Sequence, residues 1–239
     1  MIHLDNLSKR FGKRLAVDAL SLEIPTGSLY ALLGHNGAGK STTIGMMLGQ
    51  VLPDSGRVVI GGHDVRLERK EALDQVGAIF ETPSFYDYLS GRRNLEIFCS
   101  YSRAVTLAEM EEAIAMVGLQ KRIDDPVRMY SHGMRQRLAL AQALLPRPKV
   151  LILDEPSEGL DPEGIHEMRE LIQSLHARFD LTVLVCSHLL AEVEIICPQV
   201  AILRGGRLLF HGEWRGAEPG CASLEEFYLK TVRAGREDE

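Results

Sequence analysis

The sequence is short of the features that would place it outside a cell, in a membrane or on nucleic acid. Its four cysteines (Cys99, Cys186, Cys197 and Cys221) form no C-x-x-C pair, and two lie in apolar runs. That suits free thiols in a reducing cytosol rather than a disulfide framework. Basic residues are not in excess: 27 Lys and Arg face 33 Asp and Glu, leaving a net charge of −6. The electrostatic footprint of a nucleic-acid binder is therefore missing, and no nucleic-acid partner is expected. The local clusters Arg92-Arg93 and Arg135–Arg137 read as solvated faces. No apolar run approaches the roughly 18–20 residues of a membrane-spanning helix. Charges interrupt the first twenty positions, so no secretory leader is expected. His166-Glu167 begins like a zinc-binding helix, but Glu170 stands where the second histidine would be. No repeat, low-complexity tract or guanine-reading Asn-Lys-x-Asp occurs. What remains is an ordinary globular composition of 239 residues, 45% hydrophobic and 25% charged, enough for one domain (1–239) with an inserted lobe.

Against that background one segment stands out, Gly34-His35-Asn36-Gly37-Ala38-Gly39-Lys40-Ser41, with Thr42 following. Ser28–Leu33 before it reads as a buried parallel strand, and Thr42–Leu48 after it as a helix. Glycines let the chain wrap an anion with successive backbone N–H groups, and the helix start adds unpaired donors and a positive dipole end. Lys40 would reach the β- and γ-phosphates, and the Ser41 hydroxyl would ligate Mg²⁺. This is a nucleoside-triphosphate site.

Farther on, Val150–Leu153 forms an apolar strand that ends in Asp154-Glu155. A parallel strand delivers such acids to the carboxyl edge of its sheet, where ligands bind in this class of fold. Alone, the pair reads equally as an acidic turn. Downstream of a phosphate loop, Asp154 becomes a Mg²⁺ ligand and Glu155 the base that deprotonates an attacking water. Between the two motifs lies Tyr130-Ser131-His132-Gly133-Met134, with Ser131 at a helix N-cap and Gly133 open to close approach. In isolation this run is a plain capped helix.

The organisation around these motifs alternates. Short strands (Ile2–Leu4, Leu15–Val17, Leu20–Ile24, Arg57–Ile60) flank the phosphate loop, and from about 83 to 145 the pattern turns helical. There Thr106 opens a capping box toward Val117, and Met134–Leu145 has helical spacing. The α/β rhythm then returns with helix Pro162–Phe179 capped by Asp161, strand Leu181–Cys186 and helix Leu189–Ile196. A hairpin follows around Gly205-Gly206, then a tail (about 216–239) with a helix from Leu224 to Val232 and a frayed end.

Taken together and in this order, the phosphate loop, the Ser-x-Gly run and the acidic strand resemble the nucleotide-binding subunits of ATP-binding cassette (ABC) transporters. The resemblance spans nearly the whole chain. It implies an α/β phosphate-loop NTPase fold with a mixed or antiparallel N-terminal β subdomain, a RecA-like core and the inserted helical lobe. It also implies ATP and Mg²⁺, a second cassette (most simply an identical chain) and a separate transmembrane permease that holds the protein at the cytoplasmic face. Phe11, otherwise readable as a core aromatic, matches the ring that stacks on adenine. Ser131, His132, Gly133 and Met134 match the signature that completes the partner's site. Asp161 lies in the linking loop, and His188 matches the switch histidine at the γ-phosphate. Glu81 stands at the lobe junction where Gln is usual, close enough in the family to approach the metal. With the Tyr-Ser-x-Gly-Met signature it resembles exporter cassettes of bacitracin-resistance and bacteriocin-immunity systems. The compact tail agrees with an exporter. Met134 and His35 also depart from the usual residues but remove no donor or charge. A soluble cassette ATPase of translation or DNA repair is the alternative; such relatives usually carry two cassettes or a long coiled coil.

Overall fold

The computed structural model describes residues 1–101, 104–218 and 220–237. Two strands, β1 (Ile2–Phe11) and β2 (Arg14–Ile24), open the chain as an antiparallel hairpin. They are longer than the short runs expected from the sequence. Asn6 and Ala19, both at positive φ, sit where the pairing register shifts, so bulges carry the ladder across the breaks in hydrophobic alternation. Strand β3 (Leu29–Leu33) leads into the phosphate loop and α1 (Lys40–Met47). This helix starts two residues ahead of the expected Thr42, because Gly39 in the left-handed region ends the loop there. Then come β4 (Ser55–Ile60), β5 (His63–Asp64), α2 (Arg69–Leu73) and β6 (Val76–Ile79).

The helical stretch contains α3 (Gly91–Tyr101), α4 (Leu107–Met116), a 3₁₀ turn at Val127–Met129 and α5 (His132–Leu144). Thr106 and Glu109 form the expected capping box on α4. The α/β part resumes with β7 (Val150–Asp154), α6 (Pro162–Phe179), β8 (Thr182–Cys186), α7 (Leu190–Ile196), β9 (Gln199–Arg204) and β10 (Arg207–Glu213). The final helix, α8 (Leu224–Glu237), outruns the expected Val232; it includes much of the end expected to fray, and Asp238 and Glu239 lie outside the described residues.

Two sheets result. One is antiparallel, in the order β2-β1-β4-β5; the other runs β10-β9-β3-β8-β7-β6 and is parallel except for its β9–β10 edge. Side chains of the parallel strands alternate between two cores with the period of a pleated strand. Ala31, Leu33, Leu151, Leu153, Val183 and Val185 face the core built with α3 to α8. Tyr30, Leu32, Val150, Ile152, Leu184 and Cys186 face the core shared with the antiparallel sheet and α1. Burial on both faces explains why these strands read as unbroken apolar runs. It also forces function to their ends. Because Asp154 pairs with Cys186 and Leu32 with Cys186, the C-terminal ends of β3, β7 and β8 share one edge.

Candidate functional site

At that edge a cleft of about 660 Å³ is lined by Phe11, Arg14 and Ala16 from the hairpin and by His35, Asn36, Gly37, Gly39, Lys40, Ser41 and Thr42 from the loop and α1. Glu81, Asp154, Glu155, Glu158 and His188 form its far wall. The sequence-level site is thus largely brought together. Gly34 and Ala38 stand behind the lining: the Gly34 carbonyl accepts from the Lys40 ammonium at 2.6 Å, and Ala38 is fully buried. With its charge held against a main-chain carbonyl, Lys40 is 8% exposed and pre-positioned at the start of α1.

Main chain builds the joint beneath this loop. A Cβ on Gly39 (φ +108) would lie 2.6 Å from the Ala16 carbonyl oxygen, and one on Gly206 (φ +84) 2.8 Å from the same atom. The Gly206 N–H donates to the Ala38 carbonyl at 3.0 Å. The hairpin, the phosphate loop and the β9–β10 turn therefore meet with no side chain between them.

On the far wall, Asp154 is buried, and its carboxyl lies above the ordinary range. Desolvation is the main cause, opposed by the Cys186 thiol, reinforced by the neighbouring charges of Glu155 and Glu81, and offset by Lys40. Burial likewise drives the Cys186 thiol well up. Glu155 follows in a left-handed conformation (φ +50), which costs a non-glycine residue about 1–2 kcal/mol. Its N–H donates to the Cys186 carbonyl at 2.8 Å, and its carboxylate turns into the cleft. There its Oε2 lies 2.9 Å from His188 Nδ1 and accepts from the His188 backbone N–H at 3.3 Å. Glu155, Glu158 and His188 present ligand atoms within 4.8 Å of one another. The cleft accordingly concentrates carboxylates around two permanent cations, Lys40 and Arg14, an arrangement that needs a cation alongside any polyphosphate. Asp154, Ser41 and Glu81 offer hard oxygen donors, the kind Mg²⁺ prefers, so the residues present fit that ion.

Phe11 projects from the end of β1 with 51% of its surface exposed, so it is not a core aromatic. The Lys9 ammonium stands 5.5 Å from its ring centroid. Ser131, His132, Gly133 and Met134 are elsewhere. They line a separate, shallow surface with Gly159, Leu160 and Asp161. Ser131 Oγ accepts from the Met134 N–H at 3.2 Å, as the N-cap of α5, and Asp161 caps α6 by accepting from Gly164 at 2.9 Å. The phosphate-loop helix start and the Ser131 helix start thus do not share a pocket.

Sequence reasoning missed Arg14, Ala16 and, as a cleft residue, Glu158. Arg14 donates to the Gly37 carbonyl at 3.1 Å. Nothing local marks Arg14 or Ala16; only the pairing of the hairpin brings them to the loop. The Glu155-x-x-Glu158 spacing across a tight turn was the available signal for Glu158.

Comparison with known proteins agrees with this geometry. A family model described as "ABC transporter" matches residues 17–158. The chain is 46% identical over 209 residues to the ABC transporter ATP-binding protein YhcH of Bacillus subtilis, spanning 87% of this chain and 68% of that protein. It is 42% identical, with the same coverage, to the bacitracin transport ATP-binding protein BcrA of Bacillus licheniformis. A solved ATP-binding subunit of an ABC transporter superposes with a TM-score of 0.86 at 29% identity, covering 97% of this chain and 99% of that one.

Proposed function

The chain belongs to the ABC transporter family of ATP-binding subunits, and from that premise we propose that two copies enclose two ATP molecules and drive a separate exporting permease. The carrying observation is the separation of the two helix starts. The Lys40 loop and the Ser131 turn open onto different surfaces of one chain, so a site using both needs a second chain. No described helix is long and apolar enough to cross a membrane; on the family premise the translocation path belongs to a membrane partner, with this chain at its cytoplasmic face. The likeness to a bacitracin transport subunit supports a peptide or drug cargo.

The cleft residues divide the work. Phe11 offers an aromatic face to adenine, and the loop's N–H groups take the phosphates. Lys40 exchanges the Gly34 carbonyl for a phosphate oxygen. Asp154 and Ser41, with Glu81 beside them, would hold Mg²⁺, which neutralises charge on the polyphosphate when bound. Glu155 accepts a proton from water as the water oxygen bonds to the γ-phosphorus and the bond to the bridging oxygen breaks, releasing ADP. His188 orients Glu155 from one side and the γ-phosphate from the other. The partner's signature turn, equivalent to Ser131–Met134, closes the γ-phosphate face. Loss of that phosphate removes a contact shared by both chains, and this difference in binding opens the dimer.

Mixing two inactive variants tests the arrangement. Lys40→Ala keeps an intact signature and Ser131→Arg keeps an intact phosphate loop. Each alone should be nearly inert, and an equimolar mixture should recover a substantial part of wild-type ATPase activity, because mixed dimers hold one complete site. No recovery, with mixed dimers demonstrated by differential tagging, would refute a site built across two chains. Co-purification of a polytopic membrane protein from gently solubilised membranes tests the transporter role; recovery with ribosomes or repair proteins instead would overturn it.

A further inference from the structure

Gln136 is a polar side chain with no exposed surface, on the helix that starts at Ser131. Its Nε2 donates to the main-chain carbonyl of Glu81 at 3.4 Å, beyond the usual reach of an N–H···O bond. Its Oε1 is buried and has no hydrogen-bond partner among the described residues. A buried amide with one stretched bond and one orphaned acceptor is costly, and apolar residues of the same length would fill the space without that cost.

The place it joins is informative. The segment after β6 leaves the sheet at Ile79, passes Glu81 at the cleft wall and is next held at Tyr86. There Asn94 Oδ1 accepts from the Tyr86 N–H at 2.8 Å, and Asn94 Nδ2 donates to the Tyr86 carbonyl at 3.2 Å. From α5, Gln136 meets the span between those fixed points, and Arg135 pairs with Asp87 just beyond it at 2.7 Å. It therefore connects the loop facing this chain's own nucleotide cleft to the helix whose first turn faces the partner's.

We propose that Gln136 is a positioning residue that couples the Glu81 loop to the signature turn. Its bond to the Glu81 carbonyl shortens, and its Oε1 takes up a loop N–H, when the loop closes over nucleotide. The orphaned oxygen is then an acceptor reserved for the closed state. The proposal rests on the two-chain ATPase reading above, and it adds a residue that touches neither nucleotide.

Gln136→Met keeps length and removes both polar atoms. In the purified chain, ATPase kcat should fall about tenfold, the scale expected for coupling through a shared contact, while KM and fluorescent-ATP affinity stay within about twofold. The melting temperature should hold or rise, since an unsatisfied group has gone. In a Glu81→Ala background the same substitution should have little further effect on kcat, because the path it serves is already broken. A merely structural glutamine would give additive losses. Wild-type protein supplies a check independent of any variant: amide exchange at Glu81, Thr82 and Ser84 should slow on adding a non-hydrolysable ATP analogue with Mg²⁺. Unchanged kcat in Gln136→Met, additive effects in the double variant, or unaltered exchange would each overturn the proposal. A wild-type chain that neither binds nor hydrolyses ATP would sink the underlying reading, and this one with it.

Discussion

Replacing Glu155 by Gln isolates the proposed proton-accepting step from everything else the cleft does. The change is isosteric, and one oxygen remains to accept from the His188 backbone N–H, now 3.3 Å from the carboxylate. The contact to His188 Nδ1 at 2.9 Å survives in form, with the amide able to donate where the carboxylate accepted. Because the His188 side chain is 47% exposed, solvent screens this pair, and it is worth about 1 kcal/mol or less. Removing a negative charge beside raised Asp154 offsets part even of that. The melting temperature should therefore move by no more than about 2–4 °C. Turnover is another matter, since general-base catalysis contributes about 10²- to 10⁴-fold, or roughly 3–5 kcal/mol of barrier. Steady-state phosphate release should fall by that factor, with fluorescent-ATP affinity within about threefold of wild type. The variant should also accumulate as a nucleotide-loaded dimer on size exclusion. Turnover within about threefold of wild type, at saturating Mg²⁺ and with the fold intact, would show that water is deprotonated elsewhere.

Two further substitutions probe the surroundings. The folded-state pKa of Asp154 is raised, so the native chain holds that proton to higher pH than the unfolded chain does, and stability falls as pH climbs from the ordinary carboxylate range through the raised value. Asp154→Asn should therefore melt higher than wild type at pH 8 and almost equally near pH 4, while losing Mg²⁺-dependent turnover; a lower melting temperature at both would refute the desolvation argument. Tyr130→Phe deletes a buried hydroxyl that donates to the Arg122 carbonyl at 2.8 Å, and should lower unfolding free energy by about 1 kcal/mol in urea with an unchanged m-value. An unchanged midpoint would mean that water replaces the bond.

What could be read from the chain follows from where the information is stored. The phosphate loop, the Asp154-Glu155 strand end and the Asp161-Pro162 helix start are local patterns, and α6 runs from Pro162 to Phe179 as its caps imply. Arg14 and Ala16 enter the cleft only through the pairing of β1 with β2, which a linear reading cannot register. That hairpin was itself underread, because Asn6 and Ala19 interrupt the alternation that marks a strand. Helix α3 opens on Gly91-Arg92-Arg93 with no acid in its first turn, and Ser90, whose hydroxyl accepts from the Arg93 N–H at 3.2 Å, was the start signal available. Gln136 was invisible for a different reason. Polar residues on a helix normally mark its wet face, and only packing reveals one turned inward.

The junction of Ala16, Gly39 and Gly206 bears on how such a chain can diversify. Because the three segments touch backbone to backbone, this joint beneath the anion cradle does not depend on which side chains surround it. His35 and Glu158 can vary, retuning charge and contacts around the triphosphate, over an unaltered floor. The tolerance is one-sided: a single methyl group at Gly39 or Gly206 must displace a carbonyl that belongs to the other sheet. Libraries made across this region should accept glycine alone at Gly39 and Gly206, while His35 and Glu158 accept several residue types.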